Sequence, residues 1–173
     1  MAEPFRLRRW KAHLENGLEI QFFTCARPGR SKGSNGQVLD DNVDRWVKSL
    51  PGGQSTTVIS LLGRKQTSTG TSEFSFYSFH GILDNPAERR GKPSFQEWLD
   101  RHHPDRGIQL LELPTIDFKA VDQTTLEKVS AALAELSDGG RTIVIMDSGG
   151  FTRTGAVCSH LKAKELTGHP MRP

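Results

Sequence analysis

Cysteine is scarce in this sequence: Cys25 and Cys158 are the only two in 173 residues, too few for a disulfide framework. A reducing cytoplasm is the expected location. No apolar run approaches the ~20 residues that a membrane-spanning helix needs. The basic residues Arg6, Arg8, Arg9 and Lys11 are not followed by the apolar core of a secretory leader. A secreted or membrane-embedded protein is therefore not expected. A strong charge of either sign is also missing, since 23 Lys and Arg stand against 20 Asp and Glu, a net +3. That slight excess favours small anions, but no basic face with interleaved aromatics accompanies it, so nucleic acid is not an expected partner. The six histidines (His13, His80, His102, His103, His160, His169) show no metal-ligand spacing, and neighbours such as His102 and His103 point different ways on a helix. No metal and no cofactor is expected. There is no internal repeat and no domain boundary.

What is present is a chain with 35% hydrophobic and 25% charged residues, the balance of a soluble globular protein with a sizeable core. One domain over 1–173 is expected, with an N-terminal arm at 1–37. Residues 5–17 mix Phe5, Leu7, Trp10 and Leu14 with basic residues and read as a short helix or an irregular arm. Residues 18–23 alternate and predict a strand. Asp40 or Asp41 can cap a helix whose apolar set is Val43, Trp46, Val47 and Leu50. Residues 57–62 predict a central strand, continuous and β-branched.

A polar insertion follows at 63–107. Within it Phe74, Phe76 and Phe79 lie in a strand-like run, and Arg89, Arg90 and Lys92 form a charged loop. Ser94-Phe95-Gln96-Glu97 has the form of a capping box before a short helix with Phe95, Trp98 and Leu99, running to about His102. Residues 108–113 predict another strand. Thr124-Thr125-Leu126-Glu127 reads as a second capping box, and the helix behind it carries Leu126, Val129, Leu133 and Leu136 to Gly139-Gly140. Strands alternating with helices predict an α/β fold: a central, mostly parallel sheet flanked by helices.

The organising stretch is 142–157. The apolar run Ile143, Val144, Ile145 and Met146 predicts a buried strand. It opens into a small-residue loop from Asp147 to Thr152, followed by Arg153 and a helix from Thr154 to about residue 166. A strand, a Gly-bearing loop and a helix N-terminus make an anion site. Backbone N–H groups converge, the helix dipole adds positive potential, and an arginine can grip two oxygens at once. Phosphate is the expected ligand.

The pattern D-S-G-G-F-T-R-T-G resembles the C-x5-R-[ST]-G signature loop of the cysteine-dependent protein tyrosine and dual-specificity phosphatases. That family also keeps a general-acid aspartate on a loop roughly thirty residues before the nucleophile. Asp117, in L-P-T-I-D-F, stands thirty residues before Asp147. The resemblance covers about 38–166 and implies a dual-specificity-phosphatase-like fold. It further implies that the N–H groups of Ser148, Gly149, Gly150, Phe151, Thr152 and Arg153 cradle phosphate, with the Arg153 guanidinium on two of its oxygens. Thr154 would take the hydroxyl position that helps the nucleophile leave, and Asp117 would protonate the leaving group. The implied partner is a phosphorylated protein or another phosphomonoester, or phosphate or sulfate itself. A phosphorylated RNA end stays within the range of such a pocket.

The family's nucleophile is a thiolate, and here that position is Asp147, preceded by Met146 in place of the usual histidine. A carboxylate attacks phosphorus poorly and repels the incoming dianion, by roughly 4 kcal/mol for unit charges about 4 Å apart at an effective dielectric near 20. As written, the chain is expected to be inactive or severely impaired. Asp147 is either natural, giving a pseudophosphatase that binds an anion or a partner through 63–107, or an introduced change that disables an ordinary cysteine phosphatase. The additional departure at Met146 favours the first. Aspartyl-phosphate chemistry of the haloacid-dehalogenase kind is disfavoured, because the second aspartate of its D-x-D-x-T motif is Gly149 here. A purely structural turn is the remaining reading of the loop. For Asp117 it is an N-terminal cap or turn aspartate, and Asp122 is a competing acid candidate or part of the helix entry.

Overall fold

The computed structural model describes residues 5–28, 40–53, 55–62, 95–113, 115, 120–147 and 149–166. A six-stranded sheet runs in the order β4-β3-β5-β2-β1-β6. Its strands are β1 (Arg8–His13), β2 (Glu19–Ala26), β3 (Thr56–Ser60), β4 (Ile108–Glu112), β5 (Thr142–Asp147) and β6 (Lys164–Glu165). The four strands β4, β3, β5 and β2 are parallel, and β1 joins antiparallel to both β2 and β6. Helices α1 (Asp40–Ser49), α2 (Phe95–His102), α3 (Gln123–Ser137) and α4 (Thr152–His160) flank it.

Period-2 alternation divides the core between the two faces. On one face Val58, Val144 and Met146 pack with Val43, Trp46 and Val47 of α1 and with Phe95, Trp98 and Leu99 of α2. On the other, Ile59, Ile143 and Ile145 pack with Val129 and Leu133 of α3 and with Val157 of α4. The central β5 is therefore buried on both sides and ends at the loop of interest. Trp46 ties α1 to this end of the sheet, its Nε1 donating to the carbonyl of Ala26 at 3.0 Å.

Three sequence expectations need correcting. Residues 8–13 form a strand, neither a helix nor an irregular arm. Leu7 and Phe5 face one core and Ala12 and Leu14 the other, an alternation that Arg8, Arg9 and Lys11 obscure in the sequence. The Arg8 guanidinium lies over the Trp10 ring and grips Glu165 at 2.6 Å. The hairpin to β2 turns at Gly17 (φ 84°), where the Asn16 side chain accepts from Leu18 N. Second, α3 is capped by Asp122, whose carboxylate accepts from Thr125 N at 2.7 Å, and not by Thr124. Hydrogen bonding from the Thr125 side chain, and after it from the Thr125 backbone N–H, holds the exposed Asp122 carboxyl below its ordinary value.

Third, the last helix starts at Thr152 rather than Thr154 and stops at His160, well short of 166. Lys162 adopts a left-handed conformation (φ 54°), with Lys162 N on Ser159 O and Ala163 N on Cys158 O. This is a Schellman ending formed without the usual glycine, so nothing in the sequence announces it. The chain then returns along β1 as β6. The short helix expected after Ser94 is α2, and it buries Phe95, Trp98 and Leu99 in the core. Ser94, the Phe74–Phe79 run and the Arg89, Arg90 and Lys92 cluster lie outside the described residues.

The outer edge of β4 is covered by a side chain. Gln96 of α2 donates to Ile108 O at 2.8 Å and accepts from Leu110 N at 2.7 Å, as a neighbouring strand would. A short 3-10 turn (Pro104–Arg106) leads into β4 and supplies a second clamp. Arg106 donates to the carbonyls of Val47 (2.6 Å), Leu50 (3.2 Å) and Gly53 (2.8 Å), where α1 ends. A cation there meets orphan carbonyls and the negative pole of the helix. Arg106→Ala should therefore lower unfolding stability by about 2 kcal/mol, with little recovery in Arg106→Lys, whose single nitrogen cannot span three acceptors. Urea denaturation checks this: a midpoint unchanged in Arg106→Ala would refute the clamp.

Candidate functional site

The site forms where β5 ends. Asp147 is the last residue of that strand, lies beside Ala26 of β2 in parallel register, and is 1% exposed. The chain then turns at the C-terminal end of the sheet at Gly150, whose φ of 73° favours glycine. A Cβ at Gly150 would lie 2.6 Å from Ala26 N and 2.9 Å from the carbonyl carbon of Cys25. The loop therefore packs backbone to backbone against β2, and α4 begins at Thr152.

This geometry turns the Asp147 side chain back under its own loop. One carboxylate oxygen, Oδ1, accepts from Gly150 N in a short hydrogen bond. The other, Oδ2, accepts from Arg153 N at 2.9 Å and Thr154 N at 3.0 Å. Three convergent amides thus hold a buried carboxylate at the N-terminus of α4, which satisfies orphan helix donors and matches the dipole. The phosphatase resemblance implies a phosphate on two of these same amides, those of Gly150 and Arg153. In the structure they donate to Asp147.

Arg153 is 5% exposed. Its Nη1 donates to Leu61 O (3.3 Å), just beyond β3, and to Thr115 Oγ1 (3.1 Å) beyond β4. The Thr115 hydroxyl in turn donates to Leu61 O at 2.6 Å. The guanidinium therefore links the loop to the ends of two neighbouring strands. Thr154 is buried beside it, while Phe151 is 63% exposed, with the Arg6 guanidinium 5.7 Å from its ring centroid. The structure brings Asp147, Gly149, Gly150, Phe151, Thr152, Arg153 and Thr154 into one turn and helix start. Ser148 and Asp117 lie outside the described residues. Thr115, two residues before Asp117, is the nearest described point of that segment, and it touches Arg153.

Sequence reasoning did not find Thr115 and Leu61 as partners of Arg153, nor Ala26 as the surface under Gly150. No local pattern marks those contacts. The Asp147-to-Gly150 bond did carry a signal: an aspartate followed by glycines commonly folds its side chain onto a backbone N–H shortly downstream.

No thiol stands at the loop. Cys25 faces the core under α1 and α2, and Cys158 is buried in α4 on the other face. Burial pushes the Cys158 thiol up to about 12 from an ordinary 9.0. Among the described residues no group of three His, Cys, Asp or Glu is placed to hold a metal ion, and no helix is long and apolar enough to cross a membrane. A cleft of about 610 Å³ lies elsewhere, between the β1–β2 turn, α3 and the end of α4, lined in part by His13, Glu15, Glu127 and His160.

No protein-family model matches the sequence, and neither does any curated protein. Among solved structures the chain is similar to kinase associated phosphatase (KAP) carrying serine in place of its catalytic-site cysteine. The TM-score is 0.50 at 14% identity, over 93% of this chain and 74% of that one. It is also similar to Tk-PTP in its active form (TM-score 0.43, 18% identity, 79% of this chain) and in a glycine-to-alanine mutant form (0.45, 16%, 81%). The chain spans 63% and 64% of the length of those two Tk-PTP chains. The KAP likeness shows the fold: a mixed α/β sheet flanked by helices, of the kind found in that phosphatase.

Two outcomes follow from the geometry. Gly150→Ala should cost about 2 kcal/mol or more, since it combines left-handed strain with a clash against backbone; a thermal melt equal to that of the parent would show that the loop is not packed on β2. Cys158 should stay protonated and resist iodoacetamide in the native state from pH 7 to 10. Because its folded value is raised, its contribution to stability is full below pH 9 and is lost as pH rises towards 12. Rapid alkylation of Cys158 without unfolding would contradict this.

Proposed function

We propose that this chain is a non-hydrolysing protein on a phosphatase scaffold, a pseudophosphatase that acts by binding. One observation carries the reading: the position a thiolate would need is filled by Asp147, whose carboxylate already accepts from the amides of Gly150, Arg153 and Thr154. Attack on phosphorus requires a nucleophile pointing out of the cradle at a phosphate seated on those amides. Here the group at that position points into the cradle. Cys25 and Cys158 are held in the two cores and cannot take its place. Asp117 keeps the sequence spacing of a general acid, but an acid without a nucleophile supplies only part of the reaction.

Within this reading the partner is a protein, contacted through the 63–107 region, and the loop serves to hold β5, β3 and α4 together. A second reading, in which the loop and Arg153 still bind a phosphorylated protein or a free anion, is favoured by the retention of Arg153, Thr154 and the loop glycines. Natural divergence at 147 fits better than an introduced change, because Met146 beside it is fully buried among Val58, Val144 and Trp46 as part of a settled core.

The direct test is turnover of p-nitrophenyl phosphate. The chain should give no rate above buffer. Asp147→Cys should restore turnover if the rest of the machinery is intact, and Asp117→Asn in that background should remove it again. Hydrolysis by the chain with Asp147 in place would overturn the proposal.

A further inference from the structure

Both anion-gripping elements of the loop are committed inside the protein. The amides of Gly150, Arg153 and Thr154 converge on the Asp147 carboxylate, and Arg153 Nη1 is directed to Leu61 O and Thr115 Oγ1. Asp147 is 1% exposed and Arg153 5%, so these bonds are made away from water, where charge-assisted hydrogen bonds are strongest. A tetrahedral oxyanion seeking the same amides would have to expel a side chain covalently attached beneath them. That side chain competes at the high effective concentration of an intramolecular group.

We propose that Asp147 is the built-in anion of this loop: its carboxylate occupies the seat of a phosphate group, keeps the loop in its liganded shape, and excludes phosphate from the native chain. Asp147 is thus an autoinhibitory contact as well as a missing nucleophile. The inference rests on the reading of 147–153 as a phosphate-type cradle and adds what fills it. It also accounts for how a loop evolved around an external anion stays ordered without one. The three N–H groups need an acceptor when buried, and Asp147 supplies it from within, so the left-handed turn at Gly150 and the first turn of α4 need no ligand. Arg153, with no phosphate to hold, serves as a strut to Thr115 and Leu61.

The test compares the full chain with Asp147→Ser and Asp147→Ala, following the ¹⁵N–¹H signals of Gly150, Arg153 and Thr154 as inorganic phosphate replaces chloride at constant ionic strength. The native chain should show no saturable shift at these amides. The variants should melt lower in chloride, regain stability as phosphate rises, and bind phosphate at these amides at least about tenfold more tightly than the native chain. If Asp147→Ala does not fold in chloride, its refolding in phosphate but not in chloride is the same expected result, and Asp147→Ser, which keeps one acceptor oxygen, gives the titration. Saturable phosphate binding by the native chain at these amides, as tight as in Asp147→Ser, would overturn the self-occupied cradle and leave the cradle reading standing. A folded Asp147→Ser whose three amides ignore phosphate would overturn both, and the loop would then be a structural turn.

Discussion

A carboxylate on three backbone amides holds the end of this sheet together. Asp147 closes β5, and through Gly150, Arg153 and Thr154 it fixes the loop, the first turn of α4 and the exit of the Arg153 side chain. Arg153 passes the constraint on, to Leu61 beyond β3 and Thr115 beyond β4. The parallel strands β5, β3 and β4 are thereby tied at their C-terminal ends by one buried side-chain and backbone network. Networks of this kind carry high stakes, because each member removed leaves a buried partner unsatisfied.

The rest of the fold places that network. β5 is central and buried on both faces, so its end is fixed to within the packing of two cores. The approach of Gly150 to Ala26 sets how far the loop can lean over β2. On the far side Arg106 and Gln96 perform analogous tasks with side chains, the first ending α1 and the second covering the β4 edge. Among the described residues, long polar side chains thus close these open backbone ends.

Buried amides that converge on one point are costly to leave without an acceptor. Asp147 supplies that acceptor from within the chain, so the turn at Gly150 and the first turn of α4 need no ligand to satisfy these N–H groups. The KAP-like fold sets where this happens, because β5 ends between β2 and β3 with α4 directly beyond it.

Much of this was legible in the chain itself. Four of the six strands, the helix of Val43, Trp46 and Val47, and the helix of Val129 and Leu133 follow from apolar period and turn residues, since those signals are local. β1 was obscured because Arg and Lys stems cover its faces, and the Lys162 helix stop because a non-glycine residue adopts the left-handed conformation. The sequence by itself determined that a strand, a glycine loop and a helix meet at 142–157, with an aspartate at the end of the strand and an arginine at the start of the helix. Only the tertiary structure decided what that aspartate touches and where Arg153 points. Those bonds join residues 92 and 38 positions apart, and their directions depend on how β2, β3 and β4 end beside the loop, which no local pattern encodes.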